Sequence, residues 1–372
     1  MVERTMFIPS RRTPLSDAGH LQRADSRVVA LRDPRLLWLD KNENTDPIFL
    51  SIVFKVLAEI DPGSVVFYPD VAPFYHKLAE YIDVSPRALI LAQGSDGVIG
   101  SVFRAFVEPG DVVFLTQPTY AMYQFYADMC GADTTVLQYM AGESGPQLKS
   151  ETIIEMIQER RPKLVCLPNP DSPTGTVFAP DDLRRIIRIA LEANTLFLVD
   201  EAYYPFYSHT VVPSIVEFPN LIVARSFSKA WGLSGVRLGY GIASPELIAL
   251  LHNVRPNYET NTVALAMAHR MISEFEHEMR ASVKRLNQGR DGFLSAMKEL
   301  GLRTLESHGS FCHVAFGTAS ERVHASLADY VLYRQDFSAP CLKGFSRFSS
   351  TTGELFAPII DRIRDVVRMG GA

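Results

Sequence analysis

The sequence is poor in lysine and in cysteine, and it contains no long apolar run. Its four cysteines, Cys130, Cys166, Cys312 and Cys341, show no C-x-x-C spacing and sit mostly among apolar neighbours. That pattern points to free thiols in a reducing compartment rather than a disulfide framework. No stretch of about 18 apolar residues occurs, so no transmembrane helix is expected. Met1 to Pro14 is interrupted by Arg4, Arg11 and Arg12 and lacks the apolar core of a signal peptide. A soluble, cytoplasmic protein is the expectation. The formal net charge of −5 argues against a partner such as nucleic acid or an anionic membrane. Neither G-x-x-x-x-G-K-[ST] nor G-x-G-x-x-G nor H-E-x-x-H is present, and Cys312-His313 reads as strand packing, so no nucleotide or metal site is expected.

What is present is enough apolar material for large cores: 372 residues, 47% of them hydrophobic. From about residue 88 the chain alternates short apolar runs with amphipathic stretches. The runs are Ala88–Ala92, Asp111–Leu115, Thr134–Leu137, Lys163–Leu167, Thr195–Val199, Leu221–Ala224 and Arg237–Ile242. Bounded by Gly, Pro or Asp and several of them rich in Val, Ile and Leu, they read as buried parallel strands. Helices are expected between them at 96–107, 150–161 and 180–193, then over 246–254, a long segment 262–300 and a last helix near 354–367. The pattern predicts an α/β fold whose large domain has three layers around a mostly parallel sheet, joined to a smaller α+β domain. Residues 1–37 are an N-terminal extension, 60–262 the large domain, and 38–59 with 263–372 a discontinuous small domain.

Scarcity makes one lysine conspicuous. Only nine of the 37 basic residues are lysines, and Lys229 alone lies in a stretch rich in glycine and hydroxyl groups, 226–240, just after the apolar run 221–224. Open α/β sheets bind ligands at the carboxyl ends of their strands. Ser226, Ser228 and Arg237 around the lysine suit a phosphate group. Other strand ends carry further polar groups: Asn169 in a tight turn, Asp200 followed by Glu201-Ala202-Tyr203, Gly94-Ser95-Asp96 at a helix start, and Pro118-Thr119-Tyr120. Unpaired N–H groups at a helix start favour an anion.

Pyridoxal 5′-phosphate asks for all of these at once. Its aldehyde needs a lysine, its ring nitrogen a carboxylate, its phosphate N–H groups, hydroxyls and an arginine, and its ring a stacking partner.

The motifs N-P-x-x-P-T-G, D-E-A-Y and S-x-S-K-x-x-G-L-x-G-x-R-x-G-Y, in this order, resemble those of fold-type I PLP-dependent aminotransferases. Within that group, Asn42-Glu43-Asn44, Tyr68-Pro69-Asp70, Gly94-Ser95-Asp96 and Pro118-Thr119-Tyr120-Ala121-Met122-Tyr123 are similar to the histidinol-phosphate aminotransferase branch. The resemblance spans residues 38–370. It implies that Lys229 carries the cofactor as a Schiff base and later shuttles a proton, and that Asp200 pairs with the ring nitrogen. Asn169 and Tyr203 would hold the ring oxygen and Tyr120 would stack on the ring. Ser95, Asp96, Ser226, Ser228 and Arg237 would hold the phosphate, joined by Tyr68 from the other subunit of a homodimer.

Arg347 matches the arginine that grips the substrate carboxylate, a task suited to a guanidinium fork. Asn44 is counted with it among substrate-binding residues. Arg334 reads equally as a second anion contact or as a surface arginine. The implied reaction moves an amino group between L-glutamate and a small oxo or amino compound, phosphorylated ones included. The alternative is a PLP-dependent decarboxylase of an amino-acid phosphate. Departures from the branch pattern occur at Gly97, at Asp171, at Thr45-Asp46-Pro47, at Ser310-Phe311 and around Arg347. They cluster where a substrate should sit and leave the amino acceptor open.

Overall fold

The computed structural model describes residues 31–369, so residues 1–30 of the expected extension lie outside the described part. Twelve strands are found in it: β1 (Leu37–Trp38), β2 (Leu89–Ala92), β3 (Val112–Gln117), β4 (Asp133–Gln138), β5 (Leu164–Pro168), β6 (Leu196–Asp200), β7 (Leu221–Ser226), β8 (Gly239–Ala243), β9 (Arg303–Leu305), β10 (Phe311–Ala315), β11 (Val331–Leu332) and β12 (Ser346–Ser349). Strands β2 to β8 form one seven-stranded sheet in the order β2-β8-β7-β6-β5-β3-β4. Only β8 runs against its neighbours; the others point the same way. All seven apolar runs of the sequence become strands of this sheet, shifted at their ends by a residue or two.

Both faces of the sheet are covered, which is why its strands read as continuous apolar runs. Phe114, Val165, Phe197, Val199 and Val223 project into one core. Helix Pro180–Glu192 joins that core through Leu183, Ile186, Ile187 and Ala190, four positions along one stripe. The alternate strand residues Val113, Leu115, Leu198, Ile222 and Ala224 face the other way. There they meet Val98, Ile99, Val102 and Phe103 of helix Gly94–Phe106.

A further core lies in the tail. Strands β12-β10-β9 form an antiparallel sheet, and β1 pairs in parallel with β11. Leu39, Phe293, Met297, Val314, Phe348 and Phe356 pack together there, so the segment after β1 belongs with the carboxyl-terminal part of the chain.

One expectation is corrected. The helical segment 262–300 is broken into Thr262–Glu274 and Glu276–Glu299, with Phe275 between them at φ −130°. Phe275 turns its ring onto the main core, while Glu276 and Glu278 supply the acidic first turn that a new helix favours. Phe49, Val53 and Val56 of helix Pro47–Ala58, together with Ala264, Met271 and Leu286, share the core of the large sheet. That helix and Ala72–Ile82 were not read from the sequence, since neither lies in the strand–helix alternation.

The carboxyl ends of β6 and β7 are tied by a buried ion pair. Arg225 donates to Glu201 Oε2 from Nε at 3.0 Å and from Nη2 at 2.8 Å, and its guanidinium lies 3.8 Å from the centre of the Tyr204 ring. Thr210 and the Val211 N–H complete the carboxylate's partners. A buried pair leaves little freedom when every lone pair is used in this way. It holds Asp200 and Ser226, the chain neighbours of Glu201 and Arg225, in fixed relation. Among the described residues no helix is long and apolar enough to cross a membrane, and all four cysteines are free.

Candidate active site

A cavity of about 810 Å³ opens at the carboxyl ends of β2, β3, β5, β6 and β7. The residues after each strand end line it, together with the segment 40–43 and parts of the tail. Of the residues singled out in the sequence, Ser95, Asp96, Tyr120, Asp200, Tyr203, Ser226, Ser228, Lys229, Arg237, Arg334 and Arg347 all face this one space.

Asp200 ends β6. Its Oδ1 accepts from the Ala202 N–H at 2.9 Å and its Oδ2 from the Tyr123 hydroxyl at 3.1 Å. Burial outweighs these donors and pushes the carboxyl up to about 6. A carboxylate in that condition gains from a cationic partner. Lys229 follows β7; its Nζ donates to the Lys41 carbonyl at 2.9 Å and lies 5.8 Å from the centre of the Tyr203 ring. The Asn169 side-chain oxygen accepts from the Phe178 N–H at 2.8 Å, which leaves its amide NH₂ to donate. Tyr120, two-fifths exposed, stands edge-on to the buried Tyr123.

At the opposite end of the cavity Arg237 Nη1 donates to Ser228 Oγ at 3.2 Å and to the Ser234 carbonyl at 2.9 Å. Ser226 Oγ accepts from the Ser228 N–H at 3.0 Å. Helix Gly94–Phe106 begins beside them with no side chain capping it, and such a helix start favours an anion. Gly94 has φ +78°, and a Cβ there would stand 2.7 Å from Arg237 Nη2. The left-handed backbone favours glycine here, and its missing side chain leaves the guanidinium room beside the loop. Hydroxyls, guanidinium and helix N-terminus make a cradle for a phosphate.

A second group suited to an anion lines the same cavity. Arg347 on β12 is buried between Phe311 and Phe337; its Nη2 donates to the Asp40 carbonyl at 2.9 Å, and its Nε has no partner. Arg334 exchanges backbone hydrogen bonds with Arg347, so the two residues sit on paired backbone; Arg334 borders the cavity while remaining exposed to solvent. The carboxylates of Asp40 and Glu43 at the same mouth are both engaged by Arg32, at 2.8 and 2.9 Å.

Three sequence candidates are not among the residues that line the cavity: Asn169, buried just past the end of β5, Asn44 and Tyr68. Asn44 is buried, and its Nδ2 donates to the Ala230 carbonyl at 3.0 Å and to Ser282 Oγ at 3.1 Å; it braces the loop after Lys229 and does not line the cavity. Tyr68 is 78% exposed and stacks on Tyr258, away from the cavity of its own chain.

Sequence reasoning passed over three residues. Tyr123 was noted only as part of a motif, although it follows Tyr120 by three residues. Asn42 was noted only as part of a motif; it lines the cavity and its Nδ2 donates to Tyr203 Oη at 2.8 Å. Asp171 was noted only as a departure. It is fully buried just behind the cavity wall, accepts from the hydroxyls of Thr116, Thr119 and Thr174, and is pushed up to about 7 by burial. Among the described residues no group of three His, Cys, Asp or Glu side chains is placed to hold a metal ion.

The sequence profile of the family aminotransferase class I and II matches residues 34–363. Among curated relatives, histidinol-phosphate aminotransferase of Caldanaerobacter subterraneus subsp. tengcongensis is 31% identical over 307 residues, covering 82% of this chain and 85% of that protein. The protein of the same description from Dehalococcoides mccartyi is 30% identical over 319 residues, 85% of this chain and 86% of its own. Among solved structures, histidinol-phosphate aminotransferase from Sinorhizobium meliloti in complex with pyridoxal-5′-phosphate has a TM-score of 0.77 at 21% identity, covering 97% of this chain and 99% of that one. N-Succinyldiaminopimelate aminotransferase from Mycobacterium tuberculosis has a TM-score of 0.73 at 20% identity, covering 88% and 91%.

Proposed function

The chain belongs to the class I and II aminotransferases, and from that premise we propose that it moves an amino group between L-glutamate and a small oxo compound bearing a second anionic group. Histidinol phosphate is the first amino compound to test, because the relatives at about 30% identity carry its name. The enzyme works with pyridoxal 5′-phosphate. The decarboxylase alternative is not favoured, since the relatives are aminotransferases.

One observation carries the reading: Lys229, Asp200, Tyr120, Arg237 and Arg347 line a single cavity. The residues present fit the cofactor. The hollow that a Cβ at position 94 would fill suits its phosphate, and a buried carboxylate with a raised pKa suits a protonated ring nitrogen. When bound, the cofactor supplies the electron sink that makes a substrate Cα proton removable.

The chain's own groups do the rest. Ser226, Ser228, Arg237 and the N–H groups of Ser95 and Asp96 hold the phosphate, with Tyr68 of a second subunit as a further contact. Tyr120 covers one ring face. Asp200, held as an acceptor by the donors of Tyr123 and Ala202, would pair with the protonated ring nitrogen. Asn169 and Tyr203 donate to the ring oxygen. Lys229 Nζ, once free, would take the substrate Cα proton and deliver it two atoms further on, beyond the amino nitrogen. Arg347 binds the substrate carboxylate or phosphate with the part of its fork that the Asp40 carbonyl does not engage, and Arg334 adds a second cation beside it.

Mixing the purified enzyme with L-glutamate tests this reading. The bound cofactor's absorption should pass to its amine form as 2-oxoglutarate appears, and histidinol phosphate should do the same with its own oxo product. No spectral change with any amino donor would overturn it. Lys229→Ala should lose the covalent attachment that borohydride fixes in the wild type.

A further inference from the structure

Tyr203 can use its hydroxyl in two ways, as one donor and as an acceptor. Its acceptor side is taken. Asn42 Nδ2 donates to Tyr203 Oη at 2.8 Å, and both residues line the cavity. With that side engaged, the single hydroxyl proton is free to point only elsewhere, and the cavity is where an acceptor can arrive.

Asn42 is held firmly for this task. It is 3% exposed. Its N–H donates to Ser349 Oγ at 2.8 Å and its carbonyl accepts from Ser310 Oγ at 3.3 Å. Its φ of +58° lies in the left-handed region, which asparagine enters more readily than most side chains. The residues on either side reach the same site: the Asp40 carbonyl accepts from Arg347 and the Lys41 carbonyl from Lys229. Asn42 is therefore the one member of this strap whose side chain, rather than carbonyl, engages a cavity group.

Resting on the cofactor reading above, we propose that Asn42 is a positioning residue that aims the Tyr203 hydroxyl proton at the 3-oxygen of the bound cofactor. A donor aimed there stabilises negative charge on that oxygen. Without it the bound chromophore keeps its proton to higher pH.

The test is a pH titration of the visible absorption of the PLP-loaded protein. Asn42→Gly keeps the left-handed backbone and removes the amide. It should raise the midpoint by about one pH unit, a ten-fold change in acid dissociation. Asn42→Asp keeps size and backbone but can only accept, so it draws the Tyr203 proton to itself and should raise the midpoint at least as far. In a Tyr203→Phe background neither substitution should move the midpoint further. An unchanged midpoint in both variants, or equal shifts with and without the Tyr203 hydroxyl, overturns the proposal. If Asn42→Gly does not fold, Asn42→Asp decides alone. A wild-type protein that shows no visible band with PLP overturns the cofactor reading itself, which is a different result from an unmoved midpoint.

Discussion

The Tyr123 hydroxyl and the Asp200 carboxylate are hydrogen-bonded in the core, Oη to Oδ2 at 3.1 Å, with the Tyr123 ring fully buried. The bond joins the helix after β3 to the end of β6, two elements 77 residues apart. Burial and the neighbouring Asp200 push the Tyr123 hydroxyl well above its ordinary pKa, so it stays a donor. Asp200, raised to about 6, is helped toward its ionised form by that donor and by the Ala202 N–H.

Tyr123→Phe should therefore weaken PLP binding without touching the cofactor. A hydrogen bond to a charged group is worth about 1.5–3 kcal/mol, so a loss of affinity of about ten-fold or more is expected. The pH dependence gives the sign. Affinity falls as Asp200 is protonated, and without the Tyr123 donor that protonation sets in at higher pH. Titration of cofactor-free protein with PLP between pH 5 and 8, as read by absorbance, checks both; equal affinities and equal profiles would sink the assignment.

Asp171 should make the cofactor-free protein less stable as pH rises. Its folded pKa of about 7 lies above the ordinary value of 3.8, so the folded state holds its proton more tightly than the unfolded chain. The stability this gives is full below about 4 and is lost as pH climbs to about 7. His313 slopes the other way: burial and Arg347 push it down to about 3 from 6.5, so it gains stability across that interval. Asp171→Asn removes the first slope and keeps the second. Urea unfolding should show the variant gaining on the wild type by about 2–4 kcal/mol between pH 4 and 7 and by no more above it. A constant difference across that range would contradict the raised pKa.

Val65, Val66, Phe67 and Tyr68 are each about three-quarters exposed and adjoin Tyr258, an apolar patch of the kind that marks an interface. If Tyr68 serves the other subunit's phosphate cradle, the protein is a two-fold dimer with composite sites. Tyr68→Ala and Lys229→Ala should then each depress activity alone, and subunit exchange between them should restore part of it, because one site of the mixed dimer is intact. Sedimentation of a fully active monomer, or no recovery after exchange, would rule this out.

How much of this was legible beforehand follows from where the information lies. The seven strands of the large sheet could be read because burial on both faces demands continuous apolar runs. The residues just past their ends could be read because strand ends expose backbone and favour Gly, Ser, Asn and Asp. Tyr123 could not be separated from core aromatics, since a buried tyrosine and a buried phenylalanine occupy the same helical position and only the partner distinguishes them. Asn42 lies 161 residues from Tyr203, and nothing in local pattern links the two. Asn44 misled because a motif position carries the residue type but not the direction of its side chain.

The sequence by itself determined the alternation of strand and helix, the placing of Lys229 and Asp200 at successive strand ends, and the arginines available for anions. Those follow from local chemistry: hydrophobic period, turn residues and charge. Only the tertiary structure decided which polar groups meet. It brought strap 40–42 from before the sheet against Arg347, Lys229 and Tyr203. It set Arg334 beside Arg347, broke the long helix at Phe275, and buried Asp171 under three hydroxyls. Such meetings depend on how separate elements pack, and a pairwise hydrogen bond across the fold leaves no period in the chain that makes it.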